Sequence, residues 1–146
     1  MPMKTIVAVA ACLVTLGSAA AQDLPQSVTD LGVTDIQIHE KPRAEYGRNV
    51  LGTLPDGSQV EIDLDRNGVI KEIEARGNGL FPVTAIKSLI PASVAENKSW
   101  PADAKLEKIE FESAGRIEIE GRLSDGREFD AEFAVDGLMT DFDTDD

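Results

Sequence analysis

The sequence predicts an α+β protein: two repeated units, each a short helix plus about four antiparallel strands, with the helices on one face of the sheet. Three observations carry this. First, 23 residues recur: GTLPDGSQVEIDLDRNGVIKEIE at 52–74 returns as GRLSDGREFDAEFAVDGLMTDFD at 121–143, without a gap. Gly52, Leu54, Asp56, Gly57 and Gly68 meet the identical Gly121, Leu123, Asp125, Gly126 and Gly137. Second, apolar and acidic residues alternate with period two, as in a strand with one dry and one wet face. Third, Asp-Gly and Asn-Gly pairs punctuate the alternation, and both tolerate the positive φ of tight hairpin turns.

The elements follow in order. Residues 1–21 read as a secretory signal: Lys4, an apolar run from Ile6 to Leu16, then small residues with Ala19 and Ala21 before the cut. The run is too short for a membrane span. Val9-Ala10-Ala11-Cys12 resembles a bacterial lipobox, which opens the alternative of a lipid anchor through Cys12. The short apolar run before Cys12, and its continuation through Leu13–Leu16, favour ordinary cleavage and a periplasmic or secreted protein. Cys12 is the only cysteine, so the exported part has no disulfide to rely on.

The first unit is expected over 22–78. Leu24-Pro25 opens two helical turns that Gly32 ends, with proline suited to a first turn. Ile36 and Ile38 mark a strand, and 49–54 a second. Val60, Ile62 and Leu64 then point to one face, with Glu61, Asp63 and Asp65 to the other. Asn67-Gly68 turns the chain, and Val69 and Ile73 return inward. The second unit is expected over 79–146. Phe81-Pro82 opens a helix carrying Val83, Ile86, Leu89 and Ile90 at helical spacing, with Pro91 as its stop. Residues 92–104 connect, with Trp100 and, in the first unit, Tyr46 as packing anchors. Ile109 and Phe111 form one strand, Ile117 and Ile119 the next. Phe129, Ala131, Phe133 and Val135 run inward before Asp136-Gly137.

These residues resemble the PepSY-like family, whose fold is shared with β-lactamase-inhibitor-type proteins. The matching features are the two proline-opened helices, the turns at Asp56-Gly57 and Asp125-Gly126, and the ends DLDRNGVIKEIE and AVDGLMTDFD. The resemblance implies a small bacterial periplasmic or cell-surface module with no catalytic residues. It also implies a link to peptidase regulation, because relatives occur in the propeptides of thermolysin-like metalloproteases. The family has no active-site motif to carry over.

The formal charge is −13. Such a chain is repelled by nucleic acid and anionic lipid, and attracted to cations or basic proteins. The predicted wet face gathers Glu61, Asp63, Asp65, Glu72 and Glu74 with Glu118, Glu120, Asp130, Glu132, Asp141 and Asp143. It reads either as a solubility device or as a docking surface for a basic protein or an envelope peptidase. Asp63, Asp65, Asn67, Gly68 and Glu74 fit the spacing of a calcium loop. Yet two strands flank the turn, and Glu74 would lie about 20 Å along the return strand, too far to close it. Calcium is therefore the alternative ligand, not the leading one. His39 has no second His or Cys to share a metal, and no nucleophile elbow is present. The sequence points to a non-enzymatic interaction module without a cofactor.

Overall fold

The computed structural model describes residues 24–43 and 45–145. The predicted signal segment, including Cys12, lies outside the described residues. Among the described residues, one antiparallel sheet holds nine strands. In chain order the strands are β1 (Thr34–Glu40), β2 (Arg48–Thr53), β3 (Gln59–Leu64), β4 (Ile70–Ala75), β5 (Phe81–Pro82), β6 (Lys105–Phe111), β7 (Ile117–Arg122), β8 (Glu128–Phe133) and β9 (Met139–Asp145). The spatial order is β1-β2-β3-β4-β6-β7-β8-β9, with β5 attached to β6. Helix is scarce: α1 (Gln26–Thr29), a 3₁₀ segment (Val83–Leu89), α2 (Ala92–Ala95) and a short 3₁₀ turn (Ser113–Gly115).

The hairpins form where the turn residues demand them. β2 meets β3 from Arg48↔Leu64 to Thr53↔Gln59, and β7 meets β8 in the equivalent register, from Ile117↔Phe133 to Arg122↔Glu128. Both following hairpins carry a register shift at the same place, Asp63/Leu64 and Glu132/Phe133. β4 pairs with β6 through Ile73↔Ile109 and its neighbours.

The apolar residues of alternate positions meet in one core. Ile62, Ile73, Leu106, Ile109, Ile119 and Ala131 are fully buried there. Val28 of α1, Val83 and Ile86 of the 3₁₀ segment and Val94 of α2 are buried in the same cluster. Trp100 joins it edge-on to Phe133, with ring centroids 5.2 Å apart. α2 is tied to the hairpin turn between β8 and β9. A Cβ on Gly137 (φ 87°) would sit 2.0 Å from the Ser93 carbonyl oxygen of α2, so only glycine fits. Ser93 Oγ and Asn97 Nδ2 donate to the carbonyls of Val135 and Gly137 in that turn.

The helix expectations need adjustment. Pro82 does lead into the helical segment as its N-cap, but Phe81-Pro82 also pairs as β5 with Leu106 and Lys105. The helix expected over Val83–Ile90 is a 3₁₀ segment, because Pro91 pushes Ile90 to extended backbone (ψ 122°) and leaves only two tight turns. Pro91 thus ends that segment as expected and also starts α2; its fixed φ of −57° suits the position before a first turn. Helix α1 is a single turn, not two.

Burial at the turns also differs from expectation. Val69 and Val135 were expected inward but are 54% and 61% exposed, since both lie in turns, outside the strands. Tyr46 is no packing anchor: it stands exposed in the β1–β2 connection at φ 50°.

Candidate functional site

Strand pairing turns the predicted wet face into two ordered rows. In the first, Asp63, Glu72, Glu110, Glu118, Glu132 and Asp141 stand directly opposite one another across β3, β4, β6, β7, β8 and β9. In the second, Glu61, Glu74, Lys108, Glu120, Asp130 and Asp143 do the same. One lysine therefore stands among eleven carboxylates. Directly opposed side chains in a sheet lie about 5 Å apart at Cβ, and like charges there destabilise the pair.

The face relieves that repulsion unevenly. Lys108 Nζ bridges Glu110 Oε1 at 2.9 Å and Glu120 Oε1 at 2.6 Å. Burial alone would lower the Lys108 ammonium, but its bonds to Glu120 and Glu110 outweigh that and hold it above its ordinary value. Lys108 in turn holds Glu110 below the usual carboxylate range against some burial. Glu72, opposite Glu110, goes the other way. Burial, then its hydrogen bond to Glu110, then the Glu110 charge push it up to about 7. Below about pH 7 the Glu72 carboxyl thus holds a proton that it shares with ionised Glu110.

Farther along, Glu118 is raised by burial and by Asp130 and Glu110, and Asp130 by burial and by Glu120 and Asp141. Arg116 bonds Glu112 and reaches Glu132 Oε1 at 3.5 Å, at the rim of the first row. Lys41 pairs with Asp63, and Asn49 donates to Glu61.

The candidate calcium residues are divided among different tasks. Asp65 caps its own turn, its Oδ1 accepting from the backbone N–H of Asn67 at 2.8 Å and of Val69 at 3.0 Å. These bonds hold its carboxyl low. Asp63 belongs to the first row, and Glu74 faces Glu61 in the second. Asp65, although on the predicted docking face, lies past the end of β3 and outside both rows. Two other groups bring carboxylate oxygens within 4.8 Å of one another: Glu118, Glu120 and Asp130, and Glu110, Glu112 and Glu118. Among the described residues no ionisable side chain is fully buried, and His39 is exposed on β1.

Sequence reading missed Glu110 and Lys108. β6 shifts register between Leu106 and Lys108, so its buried Leu106 and Ile109 are three apart and the period-two signal fades. The signal that remained was the charge string in KLEKIEF itself.

No family model and no curated protein sequence matches the chain. Among solved structures, a protein from Bacteroides vulgatus described as periplasmic and of unknown function has this fold. It is 19% identical, with 84% of this chain and 94% of that one covered and a TM-score of 0.50. A BLIP-like protein from Bacteroides fragilis is 14% identical, with 83% and 86% covered and a TM-score of 0.34. Among the described residues no helix is long and apolar enough to cross a membrane.

Proposed function

We propose that this is an exported, non-enzymatic interaction module of PepSY-like type, built from a duplicated unit, whose acidic sheet face docks a basic protein. An envelope peptidase that it restrains or regulates is the partner class the family resemblance suggests. The observation that carries the reading is the pair of carboxylate rows in cross-strand register with Lys108 alone among them. A surface needing only solubility gains nothing from opposing acids directly, since interspersed charges serve as well. A cationic surface laid on these rows relieves the repulsion and so binds with more than its own contact energy.

The test uses Glu72→Lys with Glu118→Lys. Both positions flank Glu110 and both are crowded by like charge, so the double variant folds at least as stably as wild type. Capture of a basic envelope protein by the wild-type chain should weaken with salt and be lost in the variant. Undiminished capture overturns the docking face. Calcium is the competing occupant, at Glu118, Glu120 and Asp130 or at the Asp63–Asn67 turn. Calorimetry showing tight calcium binding with a raised Tm would move the reading to a cation-binding protein.

A further inference from the structure

β4 and β9 occupy corresponding places, each fourth in its run of antiparallel strands, β1-β2-β3-β4 and β6-β7-β8-β9. Ile70 and Ile73 of β4 pair with Leu64 and Ile62; Met139 and Phe142 of β9 pair with Phe133 and Ala131. Ile73 is fully buried and Ile70 nearly so, because β6 continues the sheet and lays Ile109 beside Ile73. Among the described residues β9 ends the sheet, and Met139 and Phe142 remain 37% and 42% exposed. Phe142 stacks on Phe129 at 6.3 Å between centroids and leaves its outer side open. The apolar face of β9 is finished on one side only.

The open edge is also closed off in a reversible way. The Phe142 N–H donates to Asp141 Oδ1 at 3.0 Å, and the Thr144 N–H to Asp143 Oδ1 at 2.9 Å. Each aspartate thus covers the edge donor of the residue that follows it. An unpaired edge invites strand addition, and inward-turned charge is one way of deterring it. Here the deterrent is selective. A neutral or acidic strand would have to displace the carboxylates with nothing to receive them. A strand with lysine or arginine opposite Asp141 and Asp143 would draw the carboxylates onto itself and free both N–H groups.

We infer that β9 binds one extended segment of a basic partner protein as an added antiparallel strand. An aliphatic residue of that segment covers Phe142, and cationic residues face Asp141 and Asp143. β6 already does this for β4, with Ile109 opposite Ile73 and Lys108 opposite Glu74. The occupant is not a second copy of this chain. Paired β9 strands would set aspartates against aspartates, and β1 offers Asp35 and Glu40 but no Lys or Arg. The inference rests on the reading of the protein as an interaction module, but uses the sheet edge and the last members of the two rows, Asp141 and Asp143, in place of the middle of the acidic face.

The test is fluorescence titration of the purified protein with a short labelled peptide alternating Lys with Ile and Val. The control is the same peptide N-methylated at alternate backbone amides, which keeps charge and side chains but cannot pair with an edge. The unmodified peptide should bind at least about tenfold more tightly than the control, since each lost edge hydrogen bond costs about 1 kcal/mol. It should also slow hydrogen exchange at Phe142 and Thr144. Asp141→Lys with Asp143→Lys should abolish the difference. Glu72→Lys with Glu118→Lys, which disables the face, should leave it in place, so that failure of the face and failure of the edge are told apart. Equal binding of the two peptides, protection on β1 instead of β9, or peptide-free dimerisation through β9 would each overturn the inference.

Discussion

β4 and β9 fill the same place in two runs of strands, and their neighbours make them different. Each follows a hairpin with the same register shift, carries acids on its wet side and places two large apolar residues toward the core. β4 has a strand on both sides, so Ile70 and Ile73 are sealed. β9 has one, and Met139 and Phe142 are half covered. The difference lies in the company, not in the local pattern. Sequence can specify a face without specifying whether anything lies beside it. β4 is a component of the core; β9 is the margin of a sheet that has room for another strand.

The comparison can be broken most sharply by truncation. Ile73→Ala should cost about 3 kcal/mol, because a sealed site cannot collapse around the missing atoms. Phe142→Ala should cost about 1 kcal/mol, since half of its ring never left water. Urea unfolding of the two variants measures both, and equal losses would mean that β9 is sealed by something beyond the described strands.

The hairpin turns offer a second contrast. Gly137→Ala drives a Cβ into the Ser93 carbonyl at positive φ and should cost about 3 kcal/mol, because backbone must move on both sides. Gly126→Ala, at a φ of 89° with nothing within 4 Å, should cost about 1 kcal/mol, the conformational strain alone.

A smaller effect concerns pH. Glu72 is raised from 4.5 to about 7, so between those values the folded chain binds a proton that the unfolded chain has released. Its contribution is fully present below pH 4.5 and is lost as pH rises through 7. Glu118 and Asp130 shift in the same direction. The Tm should therefore fall by several degrees from pH 5 to pH 8. Glu72→Gln, which imitates the protonated carboxyl, should flatten part of that fall. Smallest of all is Asp65→Ala, which frees the N–H groups of Asn67 and Val69 at an exposed turn and should lower Tm only slightly. The equivalent second-half turn, with Ala134 there, is capped from Asp136 to the Leu138 N–H.

Much of the fold was legible because local chemistry decided it. Asp56-Gly57, Asn67-Gly68, Asp125-Gly126 and Asp136-Gly137 each turn the chain, but only the glycine of each pair takes a positive φ. Val60, Ile62 and Leu64 alternate into the core as written. Proline was ambiguous, since a fixed φ suits both the residue after a helix and the residue before one, and Pro91 serves as both. Strand order was out of reach. Nothing in the alternation of 70–75 says that residues 105–111 will pair with it, so the wet face could be named but not its rows. Glu110 and Lys108, which set the charge state of the centre, emerge only once β4 and β6 lie side by side.

That charge state is open to direct observation. A carbon-detected NMR titration of the glutamate carboxyls, with Glu72 and Glu110 assigned by substitution, follows the proton on the central pair. A Glu72 midpoint near 7 with Glu110 below the usual range is the expected result. Both carboxyls titrating together near 4.5 would mean that the rows do not confront one another across the sheet, and the docking face built on them would go with them.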